Sequence, residues 1–243
     1  MYQFFVEPSQ IQGNRIVITG SDVNHIKNVL RMKPGEEIAV SNGTDGKEYR
    51  CGIEELLEEE IICTLRFIKE DGLELPARVT FFQGLPKADK MEFIVQKAVE
   101  LGVSRIVPYL SKNCVSRPDK TEKKVERWRK IAAEAAKQCG RGRLPEVAAV
   151  VPVAQAIAQA AESETALFFY ENERRTGLRD ALAGGVRDTV SLMVGPEGGF
   201  DPAEAKAAVD AGLQSVSLGT RILRCETAPI AALAAVLYAG GNM

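Results

Sequence analysis

Hydrophobic and polar positions change rhythm once along the chain. Up to about residue 70 they alternate in short runs, at Arg15 to Thr19, Glu37 to Ser41, Glu48 to Gly52 and Ile61 to Phe67. A period of two predicts strands with one buried face. Turn chemistry separates the runs: Pro34-Gly35, then Asn42-Gly-Thr-Asp-Gly46 placed between two of them as a hairpin loop. One short amphipathic helix is predicted from Asp22 to Arg31, and the acidic run Glu54 to Glu60 reads as a solvated turn. Residues 1–72 therefore predict a small β-barrel-like domain.

The pattern breaks at Glu70-Asp-Gly-Leu-Glu-Leu-Pro76, and residues 73–243 follow a different rhythm. Strands predicted at Val79 to Leu85, Arg105 to Leu110, Thr165 to Glu171, Val190 to Gly195 and Ser215 to Gly219 alternate with helices near 88–101, 121–139, 152–161, 202–211 and 226–238. Such alternation predicts an α/β fold with a mainly parallel sheet, whose ligand crevice lies at the carboxyl ends of the strands.

Composition narrows the class. The 243 residues are 45% hydrophobic, 26% charged and 6% aromatic, an ordinary globular balance with room for one large or two modest domains. No run approaches the ~18 apolar residues of a membrane helix, and Met-Tyr-Gln-Phe-Phe-Val-Glu lacks the basic start and apolar core of a signal peptide. A cytoplasmic protein with no membrane partner is expected. The five cysteines have no C-x-x-C spacing, which fits reduced thiols, and the one histidine, His25, excludes mechanisms that need two imidazoles. No metal is expected.

The net charge of −2 hides an uneven distribution. Residues 1–72 carry 8 basic and 13 acidic side chains, whereas residues 87–143 carry 15 basic and 7 acidic ones. A local basic field of that kind suits a polyanionic partner, because clustered cations release phosphate counterions on binding. A solvated helix face would also account for it.

Two loops that follow predicted strands carry the candidate chemistry. Val194-Gly-Pro-Glu-Gly-Gly-Phe200 leads into Asp201-Pro202, a helix start, and its glycines let backbone amides approach a ligand closely. Its spacing is neither a dinucleotide fingerprint nor a P-loop. Leu218-Gly-Thr-Arg-Ile-Leu-Arg-Cys-Glu-Thr-Ala-Pro229 sets Arg221, Arg224 and Glu226 beside a strand end that should be buried. A third loop, Phe168-Phe-Tyr-Glu-Asn172, carries a weaker signal, because an aromatic strand end is usually core.

Together these two loops resemble the paired signature of the SPOUT (trefoil-knot) RNA methyltransferases, and most closely the RsmE family of bacterial 16S rRNA uridine-N3 methyltransferases. Lys87-Ala-Asp-Lys-Met-Glu-Phe-Ile-Val-Gln-Lys-Ala-Val-Glu-Leu-Gly102, Trp128 with Ile131-Ala-Ala-Glu-Ala-Ala-Lys-Gln-Cys-Gly-Arg141, and His25-Ile-Lys-Asn-Val-Leu-Arg-Met-Lys-Pro-Gly35 are similar to the same family. The resemblance implies a PUA-like RNA-binding domain over residues 1–72. Over residues 73–243 it implies a SPOUT methyltransferase domain with a C-terminal knot, an S-adenosyl-L-methionine pocket and a homodimer interface.

By that resemblance the cofactor residues are Phe169, Val194, Gly195, Glu197, Gly198, Gly199, Leu218, Gly219, Ile222, Leu223, Arg224, Thr227 and Ala228. The 16S rRNA would meet Lys87, Lys90, Lys97, Arg117, Gln138 and Arg141 near the pocket. In the barrel the candidates are Arg15, His25, Lys27, Arg31 and Lys33, while Trp128 reads as core or interface. The implied chemistry is in-line methyl transfer to uridine N3, which must lose a proton. Arg224 is the candidate to stabilise the anion. Glu226 is a candidate either to accept the proton or to orient Arg224. Two alternatives stay open: the same fold acting on a ribose 2′-hydroxyl or a tRNA base, and a noncatalytic rRNA-binding assembly factor.

Overall fold

The computed structural model describes residues 1–70, 74–115, 121–241 and 243; the predicted boundary at 72 and 73 and the candidate Arg117 lie outside the described residues. The chain folds as two units, Met1–Glu74 with Ala136–Leu144, and Leu75–Ala135 with Pro145–Met243.

The first unit is a six-stranded sheet of β1 (Gln3–Phe5), β2 (Ile11–Gln12), β3 (Arg15–Thr19), β4 (Glu37–Ser41), β5 (Lys47–Leu56) and β6 (Glu60–Glu70). The strand order is β1-β4-β5-β6-β3-β2, antiparallel except for the β1 and β4 pair. The predicted alternation holds: Ile16 and Ile18, Ile38 and Val40, and Ile61 and Cys63 point into one buried core. Asn42 closes the β4 to β5 hairpin, its side-chain oxygen accepting from the Thr44 and Asp45 amides at 3.0 Å. The helix predicted from Asp22 to Arg31 is shorter and irregular. One turn, α1 (Ser21–Asn24), runs into a π turn over His25–Val29, and Arg31, at φ 55°, ends it.

Ala136–Leu144 joins this unit, which the sequence did not foretell. Arg141 pairs with Glu74 at 2.6 Å, Lys137 with Asp22 at 3.1 Å, and the Leu144 amide donates to the Gly43 carbonyl at 2.9 Å.

The second unit contains β7 (Arg78–Gly84), β8 (Arg105–Leu110), β9 (Glu146–Val147), β10 (Val151–Pro152), β11 (Thr165–Phe169), β12 (Thr189–Val194) and β13 (Gln214–Val216). Its helices are α2 (Lys90–Glu100), α3 (Thr121–Cys139), α4 (Val153–Ala160), α5 (Leu178–Ala181), α6 (Pro202–Asp210) and α7 (Thr227–Ala239). All strand pairs are parallel, in the order β10-β8-β7-β12-β11-β13, with β9 also on β8. This is the α/β fold that the alternation predicted, with helices carrying the crossovers. In α3, Val125, Trp128, Ala132, Ala135 and Ala136 recur at helical spacing and are all buried, so Trp128 is core.

The last strand is shorter than predicted. β13 stops at Val216, because the Ser217 hydroxyl donates to the Gly219 carbonyl and Gly219 takes φ 107°. The chain then runs without regular structure to α7. The order of strands reverses between β8 and β12 on either side of β7.

Candidate active site

A cavity of about 530 Å³ lies at the carboxyl ends of β11, β12 and β13. That volume is within the ~300–1,000 Å³ of small-molecule sites. Three loops meet around it: Phe169 to Arg174 after β11, Gly195 to Gly199 after β12, and Ser217 to Cys225 after β13.

The glycine loop approaches its neighbours too closely for side chains. A Cβ on Gly198 would stand 2.8 Å from the Asn113 carbonyl oxygen, and one on Gly199, which takes φ 64°, would collide with the Glu171 carboxylate. The loop is fixed from below. Buried Tyr109 donates its hydroxyl to the Val194 carbonyl at 2.8 Å, and Gln83, fully buried at the end of β7, donates to the Gly195 carbonyl at 3.2 Å. Beyond the loop, Asp201 caps α6 in a capping box with Glu204, with Pro202 at the first helical position. This is the helix start read from Asp201-Pro202.

Of the expected cofactor residues, Phe169, Val194, Gly195, Glu197, Gly198, Gly199, Leu218, Gly219, Ile222, Leu223, Arg224 and Ala228 line the cavity. Thr227, the first residue of α7, is exposed and is not part of the lining. A glycine-floored cleft with carboxylates on its wall fits a polar organic cofactor that is held largely by backbone groups.

An ion-pair cluster closes one side. The Lys90 ammonium lies 3.0 Å from Glu197 and 3.1 Å from Glu226, and the Cys225 thiol donates to Glu226 at 3.3 Å. Burial works to raise the Glu226 carboxyl. Hydrogen bonds from Cys225 and from the backbone, together with the Lys90 ammonium, outweigh it and hold the group below the usual carboxylate range. Glu197 is depressed in the same way, against its burial, by backbone amides including that of Lys87 and by Lys90 and Cys225. Burial and the neighbouring Glu226 push the Cys225 thiol up to about 12, so it stays protonated. Glu226 therefore binds Lys90 and Cys225 and does not orient Arg224, one of the two roles expected for it. A carboxylate held in its ionised form is also a weak base. Arg224 is exposed on the cavity wall and has no carboxylate partner among the described residues.

The expected RNA contacts divide. Arg15, His25, Arg31, Lys33, Lys87 and Gln138 are exposed. Lys27 donates to the Leu57 carbonyl at 2.7 Å, and Lys97 pairs with Glu100 on its own helix. Arg141 is 4% exposed and bound to Glu74, so as placed it ties down the chain instead of presenting a charge to RNA. Lys90 faces the cavity and its carboxylates. Tyr170, Glu171 and Arg221, which the sequence reading placed in candidate loops without assigning them to the cofactor, also line the cavity, as does Arg174. Their position just past strand ends was the available signal; the aromatic character of the β11 end hid the first two.

Among the described residues, no group of three or more His, Cys, Asp or Glu stands where it could hold a metal ion. No helix among them is long and apolar enough to cross a membrane.

A parallel α/β sheet with a cofactor-sized cavity at its strand ends, in a chain that also carries a small β unit, defines a two-domain cofactor-binding enzyme. The RNA methyltransferase domain family matches residues 73–237, and the RNA methyltransferase PUA domain family matches residues 18–66. Ribosomal RNA small subunit methyltransferase E of Bacillus subtilis is 34% identical over 248 residues, covering 98% of this chain and 96% of that protein. The crystal structure of the Neisseria gonorrhoeae protein of that name, bound to S-adenosyl methionine, superposes with TM-score 0.87 at 32% identity, covering 98% of this chain and 97% of that one. A structure from Legionella pneumophila that holds bound SAM gives TM-score 0.87 at 31% identity over the same shares. The chain belongs to the RNA methyltransferase family and, within it, to the ribosomal RNA small subunit methyltransferase E group.

Proposed function

We propose that the chain transfers a methyl group from S-adenosyl-L-methionine to N3 of one uridine in the 16S rRNA of the small ribosomal subunit. The observation that carries this reading is the meeting of the two motif loops at a single cavity, floored by glycines and walled by carboxylates, in a member of this family. Held there, S-adenosylmethionine would supply an electrophilic sulfonium methyl group.

The protein's own contribution is positioning and charge. Backbone groups of Gly195 to Gly199 and of Leu218 to Leu223 hold the cofactor, and the rigid seat of the first loop favours in-line geometry. As uridine N3 loses its proton, negative charge spreads onto O2 and O4. Arg224, free of any carboxylate partner among the described residues, is the cation available to balance it. Glu226 stands behind the cofactor wall, paired with Lys90. Phosphate contacts fall to exposed side chains, Lys87 beside the cavity and Gln138, with Arg15, His25, Arg31 and Lys33 in the first unit.

The same reading includes the knotted C-terminal segment, action in the cytoplasm and a homodimer. Helix α7 is apolar on every face: Ala232, Leu233, Val236 and Leu237 are buried, while Ile230, Ala231, Ala234 and Ala235 are only partly covered and Tyr238 is exposed. A helix apolar all round calls for a second partner, and a twin copy supplies one.

The test is to incubate the protein with labelled S-adenosylmethionine and small ribosomal subunits from cells lacking the modification, then to resolve the nucleosides. A labelled 3-methyluridine peak is expected. A different methylated nucleoside moves the acceptor atom, and no label removes the activity.

A further inference from the structure

The two motif loops share no strand or helix, yet one side chain touches both. Lys90 opens α2, and its ammonium reaches Glu197 of the glycine loop at 3.0 Å and Glu226 before α7 at 3.1 Å, with the Cys225 sulfur at 3.7 Å. All three charged side chains are at most one-third exposed, which limits solvent screening of the pairs. Glu197 is gripped a second time: both its oxygens accept from the Lys87 amide, at 3.1 and 3.2 Å. Between these two contacts Ala88 takes φ 52°, a left-handed conformation uncommon for a residue with a Cβ. Backbone strain of that kind persists where surrounding contacts over-determine the conformation, and it clusters at functional sites.

We infer that Lys90 is a positioning residue that locks the two loops of the cofactor cavity into one frame, with Glu197 and Glu226 as the arms it holds. The inference rests on the cofactor reading of the cavity given above. It accounts for the pairing of a lysine on the cavity wall with Glu197 of one motif loop and with Glu226 of the other. The groups facing Lys90 are Glu197 from the loop after β12, and Glu226 and Cys225 from the segment before α7; Lys87 and Asp89 adjoin it in sequence, and Glu171 and Arg224 stand farther along the wall. Of these only the two paired carboxylates titrate in the acid range with Lys90 as partner. Because both are depressed, the clamp is intact at neutral pH and is lost as pH falls through their lowered values.

The experiment compares the whole protein with Lys90→Met and Lys90→Arg. S-adenosylmethionine affinity is measured by calorimetry from about pH 8 down to about pH 3, a span that reaches below the usual carboxylate range. Hydrogen exchange of the ligand-free proteins is followed over residues 195–200 and 218–228. Lys90→Met is expected to weaken binding about tenfold at neutral pH, as expected for a network of two partly buried ion pairs. The deficit should narrow as pH falls through the lowered carboxylate values, where the wild-type clamp is itself lost, and at neutral pH both loops should exchange faster together, while Lys90→Arg recovers most of the affinity. Wild-type affinity and unchanged exchange in folded Lys90→Met protein would overturn the clamp. If Lys90→Met does not fold, Glu226→Gln removes one arm, and unchanged exchange of the 218–228 loop in that variant overturns the clamp equally. A wild-type protein that binds no S-adenosylmethionine refutes the cofactor reading instead, and the exchange result still judges the clamp.

Discussion

The loop after β12 and the loop before α7 face the same cavity and are held in opposite ways. The first is seated on the sheet: Tyr109 and Gln83 hold its carbonyls from below, Asn113 donates to the Gly198 carbonyl at 3.1 Å, and the Phe200 amide donates to Glu171 at 3.2 Å. The second is open. Ile222 is 82% exposed, Arg221 and Arg224 are exposed, and the side-chain bonds that order its start are the local ones of Ser217 to Gly219. A cavity with one rigid wall and one loosely held wall gives a fixed seat for a cofactor beside a face that can adapt to a larger partner. Stability and reactivity should therefore separate between the loops on substitution.

The largest expected effect is in the rigid wall. Gly198→Val would drive a branched side chain into the Asn113 backbone, costing about 2–4 kcal/mol of stability and abolishing cofactor binding. Thermal unfolding and calorimetry check both, and a normal affinity would remove Gly198 from the cofactor seat. Next comes the open wall. Arg224→Ala should lower methyl transfer by about 10²–10³ while unfolding stays within about 0.5 kcal/mol of the parent. Single-turnover methylation beside a melting curve tests that split, and a fall in stability matching the fall in rate would erase the contrast between the loops. Tyr109→Phe deletes one hydroxyl that donates to Val194 and should cost about 1–2 kcal/mol, with cofactor affinity reduced in step. Denaturant midpoints at constant slope measure it. Smallest of all, Ile222→Ser should leave unfolding unchanged to within about 0.5 kcal/mol, since its side chain covers no core.

The same contrast explains what the sequence disclosed. The first loop was legible because close backbone packing can be met only by glycine, so the steric demand is written directly as Gly195, Gly198 and Gly199. β3 was legible because burial of one face imposes a period of two on its side chains, and β8 because burial on both faces imposes a short apolar run. The role of Glu226 was not. Whether a carboxylate beside an arginine pairs with it or with a lysine more than a hundred residues away depends on distances of a few ångströms, and the chain between them gives no sign. Arg141 failed for the same reason: in sequence it ends a basic helix, and in the fold it is buried against Glu74.

Alone, the sequence determined the α/β class, the strand ends where chemistry collects, and the residue types of the cavity floor, since these follow from local periodicity and backbone sterics. Only the tertiary structure decided that Lys90 leaves the basic face for the cavity, that Glu226 pairs with it, and that the end of α3 counts with the first unit. Ion pairing is short-ranged and indifferent to separation along the chain, so the fold must first bring the charges together.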